Sequence, residues 1–140
     1  MTDVSLLRLY LLRAAYLMIA LFLISGIWPS LIWPTAQWPH MSGVARALLA
    51  ALGFVALLGL RYPLQMLPLL LFETVWKAIW LLAIGLPLWR AGRLDPANAQ
   101  TFQDCAFGVV LMAIVLPWPY LWANYVKRPG DRWTRRQPAA

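Results

Sequence analysis

The chain has 140 residues, of which 62% are hydrophobic and only 12% charged, and its mean hydropathy is +0.65. This composition excludes an ordinary soluble domain, and long apolar runs without period-2 alternation exclude an outer-membrane barrel, leaving an all-α integral membrane protein. The formal charge of +7 does not point to nucleic acid, because the basic residues flank apolar runs and crowd the C-terminus; they point to anionic lipid headgroups.

Residues 4–28 form the first apolar run. Arg8 and Arg13 resemble the basic start of a signal peptide, but no small-x-small cleavage site precedes the Trp-Pro segment, so an uncleaved first span is expected. Residues 29–42 then repeat one dipeptide, Trp28-Pro29, Trp33-Pro34 and Trp38-Pro39. Proline opposes a continuous helix here and tryptophan favours the headgroup region, which predicts a segment lying along the outer interface. It serves as an anchor belt or as an aromatic ledge for a partner or apolar substrate.

The second span, residues 43–60, places Gly43, Ala47, Ala51, Val55 and Gly59 four apart, a row expected to be a packing face. Arg46 lies near its outer end, where it can snorkel. A short inner loop follows, with Pro68 suited to the first turn of the third span, residues 68–89. Arg90, Gly92, Arg93, Asp95 and Pro96 break that span, and an outer loop is expected to reach Asp104. The fourth span, residues 105–126, carries Pro117 and Pro119 on either side of Trp118, which predicts a kink whose freed carbonyls face the protein interior. The lone cysteine, Cys105, excludes an internal disulfide or a cysteine-cluster metal site and reads as a small apolar filler.

Together these readings predict an antiparallel four-helix transmembrane domain over residues 1–128 and a basic cytoplasmic tail over 129–140, with Trp133 returning to the interface. Arg8, Arg13, Arg61, Lys127, Arg128, Arg132, Arg135 and Arg136 lie on one side, against Arg46, Arg90 and Arg93 on the other. The imbalance puts both termini in the cytoplasm of a multi-pass inner-membrane protein.

The chemically distinctive feature lies in the third span, where Glu73 and Lys77 stand one turn apart in an otherwise apolar run. Charges at that depth are expensive, so they are a functional-site hypothesis by default. Counted from outer ends at Trp28 and Trp89, Arg13 and Glu73 both lie roughly 22–24 Å in, and Arg61 and Asn124 fall near that level. A polar cluster of Arg13, Arg61, Glu73, Lys77 and Asn124 is therefore expected near the cytoplasmic boundary, with Trp76 and Trp80 as an aromatic wall. One reading is structural: Glu73 neutralises Arg13 or Lys77 and fixes helix register. The other is functional: spare positive charge holds an anionic lipid or polyprenyl phosphate head.

No catalytic motif accompanies the pair. The single histidine, His40, cannot assemble a haem or metal site, and there is no phosphate loop and no nucleophile elbow. No cofactor is expected. The sequence thus suggests a non-enzymatic membrane protein, an accessory subunit engaging anionic lipid, another membrane protein or a second copy. The alternative is a small oligomeric transporter or channel that uses Glu73 as its coupling or substrate-binding carboxylate. An enzyme acting on a lipid or quinone would need Glu73 with Tyr16 or Tyr62 as its acid/base pair.

Arg61-Tyr62-Pro63, Leu67-Pro68, Phe72-Glu73, Trp76-Lys77 and Trp80, with residues 124–133, NYVKRPGDRW, resemble a group of small bacterial inner-membrane proteins without an assigned activity. The resemblance covers roughly the second half of the chain. It implies a four-span architecture and a bacterial source, and it carries over no catalytic residue.

Overall fold

The computed structural model describes residues 3–33 and 37–134. Pro34, Arg135 and Arg136 lie outside the described residues. Among the described residues the chain is all helix, without strands: α1 (Leu6–Ile32), α2 (His40–Arg61), α3 (Leu67–Arg90), α4 (Pro96–Val115) and α5 (Trp118–Lys127). The first three are long and apolar enough to cross a membrane, and α4 with α5 makes a fourth if that bent pair is one span.

Helix α1 begins where Ser5 accepts the Arg8 amide at 3.2 Å, an N-cap that satisfies an otherwise orphaned donor. It runs through Pro29 to Ile32, whereas the Trp-Pro repeat predicted a break at Trp28. The proline removes only one helical hydrogen bond, and its surroundings are well tied. Ser30 donates to the Ile27 carbonyl, the Trp28 indole donates to the Ala50 carbonyl of α2, and Arg46 donates to Ser30. The Arg46 guanidinium also lies 3.7 Å from the centre of the Trp38 ring, just before α2.

Helices α1 and α2 pack antiparallel through small residues, but not along the expected row. Ala47, Ala51 and Val55 are exposed, while Ala50, Gly53, Ala56 and Gly59, three apart, are buried. A Cβ at Gly53 would stand 2.7 Å from Leu23 Cβ, and one at Gly59 would collide with the Tyr16 ring. The Tyr16 hydroxyl then donates to the Pro63 carbonyl at 2.9 Å, fastening α1 to the loop that leads into α3.

Helix α3 carries Pro68 in its first turn and a π-helical turn over Leu81–Gly85. Pro87 explains that turn: it has no N–H for the Ala83 carbonyl and its ring crowds that carbonyl, so the ladder shifts register just before it. The helix ends in a Schellman motif, with Gly92 at φ +66° and the Arg93 amide on the Leu88 carbonyl.

Helix α4 starts at Pro96, nine residues before the predicted start at Cys105. Asp95 is its N-cap, accepting from the Asn98 amide at 3.3 Å, and Pro96 fills the first turn. At Leu116–Pro117 the chain turns by 78° into α5. The carbonyls that the prolines free are all taken. Trp118 Nε1 donates to Ala113 at 2.8 Å, and Arg8 Nη1 donates to Ile114 at 2.5 Å and to Val115 at 3.2 Å. Leu116, Pro117 and Leu121 are buried. Trp133 is fully exposed on the protein, so it does not fold back onto the helices.

The main core gathers at the end of the molecule that holds the N-terminus, the α2–α3 loop and the α4–α5 bend. Leu12, Tyr16, Leu67, Leu70, Met112 and Leu116 are its centre, each at 2% exposure or less. Toward the opposite end the α1–α2 pair and the α3–α4 pair share less packing, and a crevice lies between them.

Candidate functional site

The Glu73–Lys77 spacing is one helical turn, and α3 delivers both side chains to that crevice. Lys77 Nζ lies 2.6 Å from Glu73 Oε1, and Trp76 Nε1 donates to Glu73 Oε2 at 2.7 Å. Both carboxylate oxygens are thereby satisfied, as a carboxylate at 4% exposure requires. Lys77 is 17% exposed along its side chain, and its stem passes over Gly108 of α4. A Cβ at residue 108 would stand 2.8 Å from Nζ and 2.9 Å from Cδ, so the glycine is what lets the ammonium reach the pair. Cys105, one turn away on α4, is buried alongside.

The crevice has a volume of about 230 Å³. Helices α1 and α2 give it apolar walls, including Ile19, Phe22, Leu23 and Leu49. Helix α3 gives it Glu73, Trp76 and Lys77, and α4 gives it Asp104 and Phe107. Phe22 is 77% exposed and Phe107 62%, so the crevice is open at its side rather than sealed. At 1.5 Å per residue, Lys77 stands about 15 Å along an α3 that is about 36 Å long, toward the middle of the helix.

Of the five expected cluster residues, the structure brings together only Glu73 and Lys77. Arg13 donates through Nε to the Leu60 carbonyl at 3.0 Å, Arg61 is exposed with its guanidinium 5.3 Å from the Tyr62 ring, and Asn124 donates to the Tyr120 carbonyl at 2.9 Å. Glu73 shares the crevice with Ile19 and its neighbours on α1, six residues beyond Arg13. Part of this offset comes from α1 continuing four residues past Trp28, which moves Arg13 further from the end used to gauge depth. The aromatic wall divides likewise: Trp76 lines the crevice, whereas Trp80 packs with Phe102 over Gly85 of the π-helical turn.

No family model matches the chain, nor does any curated protein or solved structure.

The chemistry of the crevice includes Asp104, whose polar surroundings in the sequence predict a loop. Asp95-Pro96 is an N-cap followed by a first-turn proline, and starting a helix there puts Asp104 one turn before Gly108, on the face that Lys77 crosses. Asp104 is exposed and accepts from Gln100 Nε2 at 2.9 Å. The expected excess of positive charge is consequently reversed in the crevice, which holds two carboxylates and one ammonium. Among the described residues no group of three His, Cys, Asp or Glu side chains is placed to hold a metal ion. The hydroxyl of Tyr16 is engaged with Pro63 rather than with Glu73.

Proposed function

We propose that the chain is a multi-pass protein of a bacterial inner membrane, non-enzymatic, which holds an amphiphilic molecule in the crevice between its two helix pairs. One observation carries this reading: an ion pair whose carboxylate is buried with both oxygens bonded lines an open, mostly apolar cavity near the middle of α3. Sites for small molecules combine apolar walls with a few convergent polar groups, and ionisable groups at membrane depth are costly unless they are used. The four passes form an antiparallel bundle, with α4 and α5 as one broken span. Both termini face the cytoplasm, on the weight of the basic residues at that end. The basic rim of Arg8, Arg61, Lys127, Arg128 and Arg132 is where anionic headgroups are engaged, and it also offers a surface to a partner protein.

Native mass spectrometry of the protein released from its own membrane tests this reading, comparing the wild type with Leu49→Trp, which fills the crevice, and Arg61→Ala, which weakens the rim. Retained amphiphile that survives Arg61→Ala and disappears in Leu49→Trp is the expected result. Loss in Arg61→Ala with retention in Leu49→Trp would move binding to the rim.

A second reading, a small oligomeric transporter that uses Glu73 for coupling, is favoured by the cavity reaching that carboxylate. It requires Glu73→Gln to abolish movement of the bound molecule across a sealed vesicle while leaving binding measurable.

A further inference from the structure

We infer that the crevice selects an amphiphilic organic cation, an ammonium or quaternary ammonium head on an apolar body; this rests on the binding reading above and names its ligand class. The groups facing the cavity come from four helices, and only α3 and α4 contribute charge. Glu73 has both oxygens committed, to Lys77 and to Trp76. Asp104 is different: its recorded partner is the Gln100 amide, and among the described residues the only ion pair is Glu73–Lys77. Among the described residues the crevice therefore presents one carboxylate without a cationic partner.

Three aromatic residues line the same crevice as that carboxylate, Phe22, Trp76 and Phe107. The Trp76 ring already takes a cation, with Lys77 Nζ 5.6 Å from its centre. A second cationic head entering beside Asp104 meets a carboxylate in a crevice lined by aromatic rings, while its tail lies along Ile19, Leu23 and Leu49. Such heads are held by ring quadrupoles as well as by charge. An anionic head of the same size meets only an ammonium already bound to Glu73, and it meets the repulsion of Asp104. Asp104 is exposed, so both effects have the modest size of a partly screened charge.

The test uses the full chain in lipid nanodiscs, with empty nanodiscs as blank. Calorimetric titration compares three probes sharing one tail: n-octyltrimethylammonium, n-octyl sulfate and n-octanol. The cation is expected to bind at least about tenfold more tightly than the sulfate, the sum of one partly exposed charge contact and one cation–π contact. Asp104→Asn, at an exposed position, should lower cation affinity about fivefold and leave octanol unchanged. Phe107→Leu, also exposed, should act in the same direction with the charge intact. Tighter binding of the sulfate, or equal binding of all three heads, overturns the cation inference while keeping an amphiphile in the crevice. No binding above the blank by any probe overturns both.

Discussion

The energetics of the Glu73–Lys77 pair should be asymmetric, and a double-mutant cycle reads the asymmetry. Lys77→Met leaves a carboxylate at 4% exposure with one neutral donor, the Trp76 indole. Stranding one member of a buried ion pair costs about 3–5 kcal/mol. Glu73→Gln removes the other member, but Lys77 is 17% exposed and borders the cavity that Asp104 lines, so its ammonium can turn toward that carboxylate. The variant loses mainly the difference between a charged and a neutral hydrogen bond, about 1–2 kcal/mol. Replacing both side chains by Gln and Met leaves no buried charge, and such replacements are often close to neutral. With a double variant near neutral, the coupling energy should then be about 4 kcal/mol or more, above the usual range for residues in direct contact. The assay is reversible unfolding in mixed micelles with increasing SDS, followed by circular dichroism. If Lys77→Met were no more costly than Glu73→Gln, or the double variant cost the sum of the singles, the burial argument would be wrong.

Other outcomes follow from particular contacts. Gly108→Val should push the Lys77 stem off α4 and cost about 1–3 kcal/mol by overpacking, read in the same unfolding assay. Arg8→Ala should release the Ile114 and Val115 carbonyls; with partly exposed acceptors the loss is about 1 kcal/mol, seen as roughly fivefold faster amide exchange around residues 116–121. Gly92→Ala should lower stability by about 1 kcal/mol through its left-handed backbone, detected as a fall in Tm. Asp95→Ala should cost a similar amount by uncapping α4.

The sequence made the all-helical class legible because apolar runs of helical length leave few alternatives to helix, but four spans were expected where the described residues form five helices, three of them long and apolar enough to cross a membrane and the last two a bent pair. Proline misled it in both directions. At Pro29 the helix continues, because one lost hydrogen bond is a small deficit inside a long apolar segment packed on α2. At Pro117 and Pro119 two losses fall close together beside a tryptophan and within reach of Arg8, and the chain turns by 78°. The difference lies in what takes the freed carbonyls, and Arg8 is more than a hundred residues away in the chain. The packing row of α2 was likewise out of reach: small residues occur both three and four apart, and only the position of Tyr16 and Leu23 on α1 selects the first spacing.

The candidate site was half legible. Glu73 and Lys77 were marked by their cost in an apolar run, which one chain alone reveals. Arg13, Arg61 and Asn124 were assigned by depth, and depth places residues at a level without saying which way they face. Asp104 follows a polar stretch that reads as loop, although the helix already starts at Pro96. Its local signal, Asp95-Pro96 with Gly108 one turn further on, was present in the chain.

The Gly108 contact bears on whether the ion pair serves folding or binding. A packing role alone would be met as well by Met and Gln on α3 against any small residue on α4, since buried pairs seldom exceed apolar replacements in stability. The Glu73→Gln, Lys77→Met protein therefore separates the two roles. It keeps the volume, the Gly108 passage and the apolar walls, and it removes the ion pair from the crevice that Asp104 also lines. If it folds as well as wild type, any loss of amphiphile binding belongs to the electrostatics of the crevice. If it binds unchanged, Asp104 and the rings suffice, and Glu73 with Lys77 is a device for setting the register of α3 on α4.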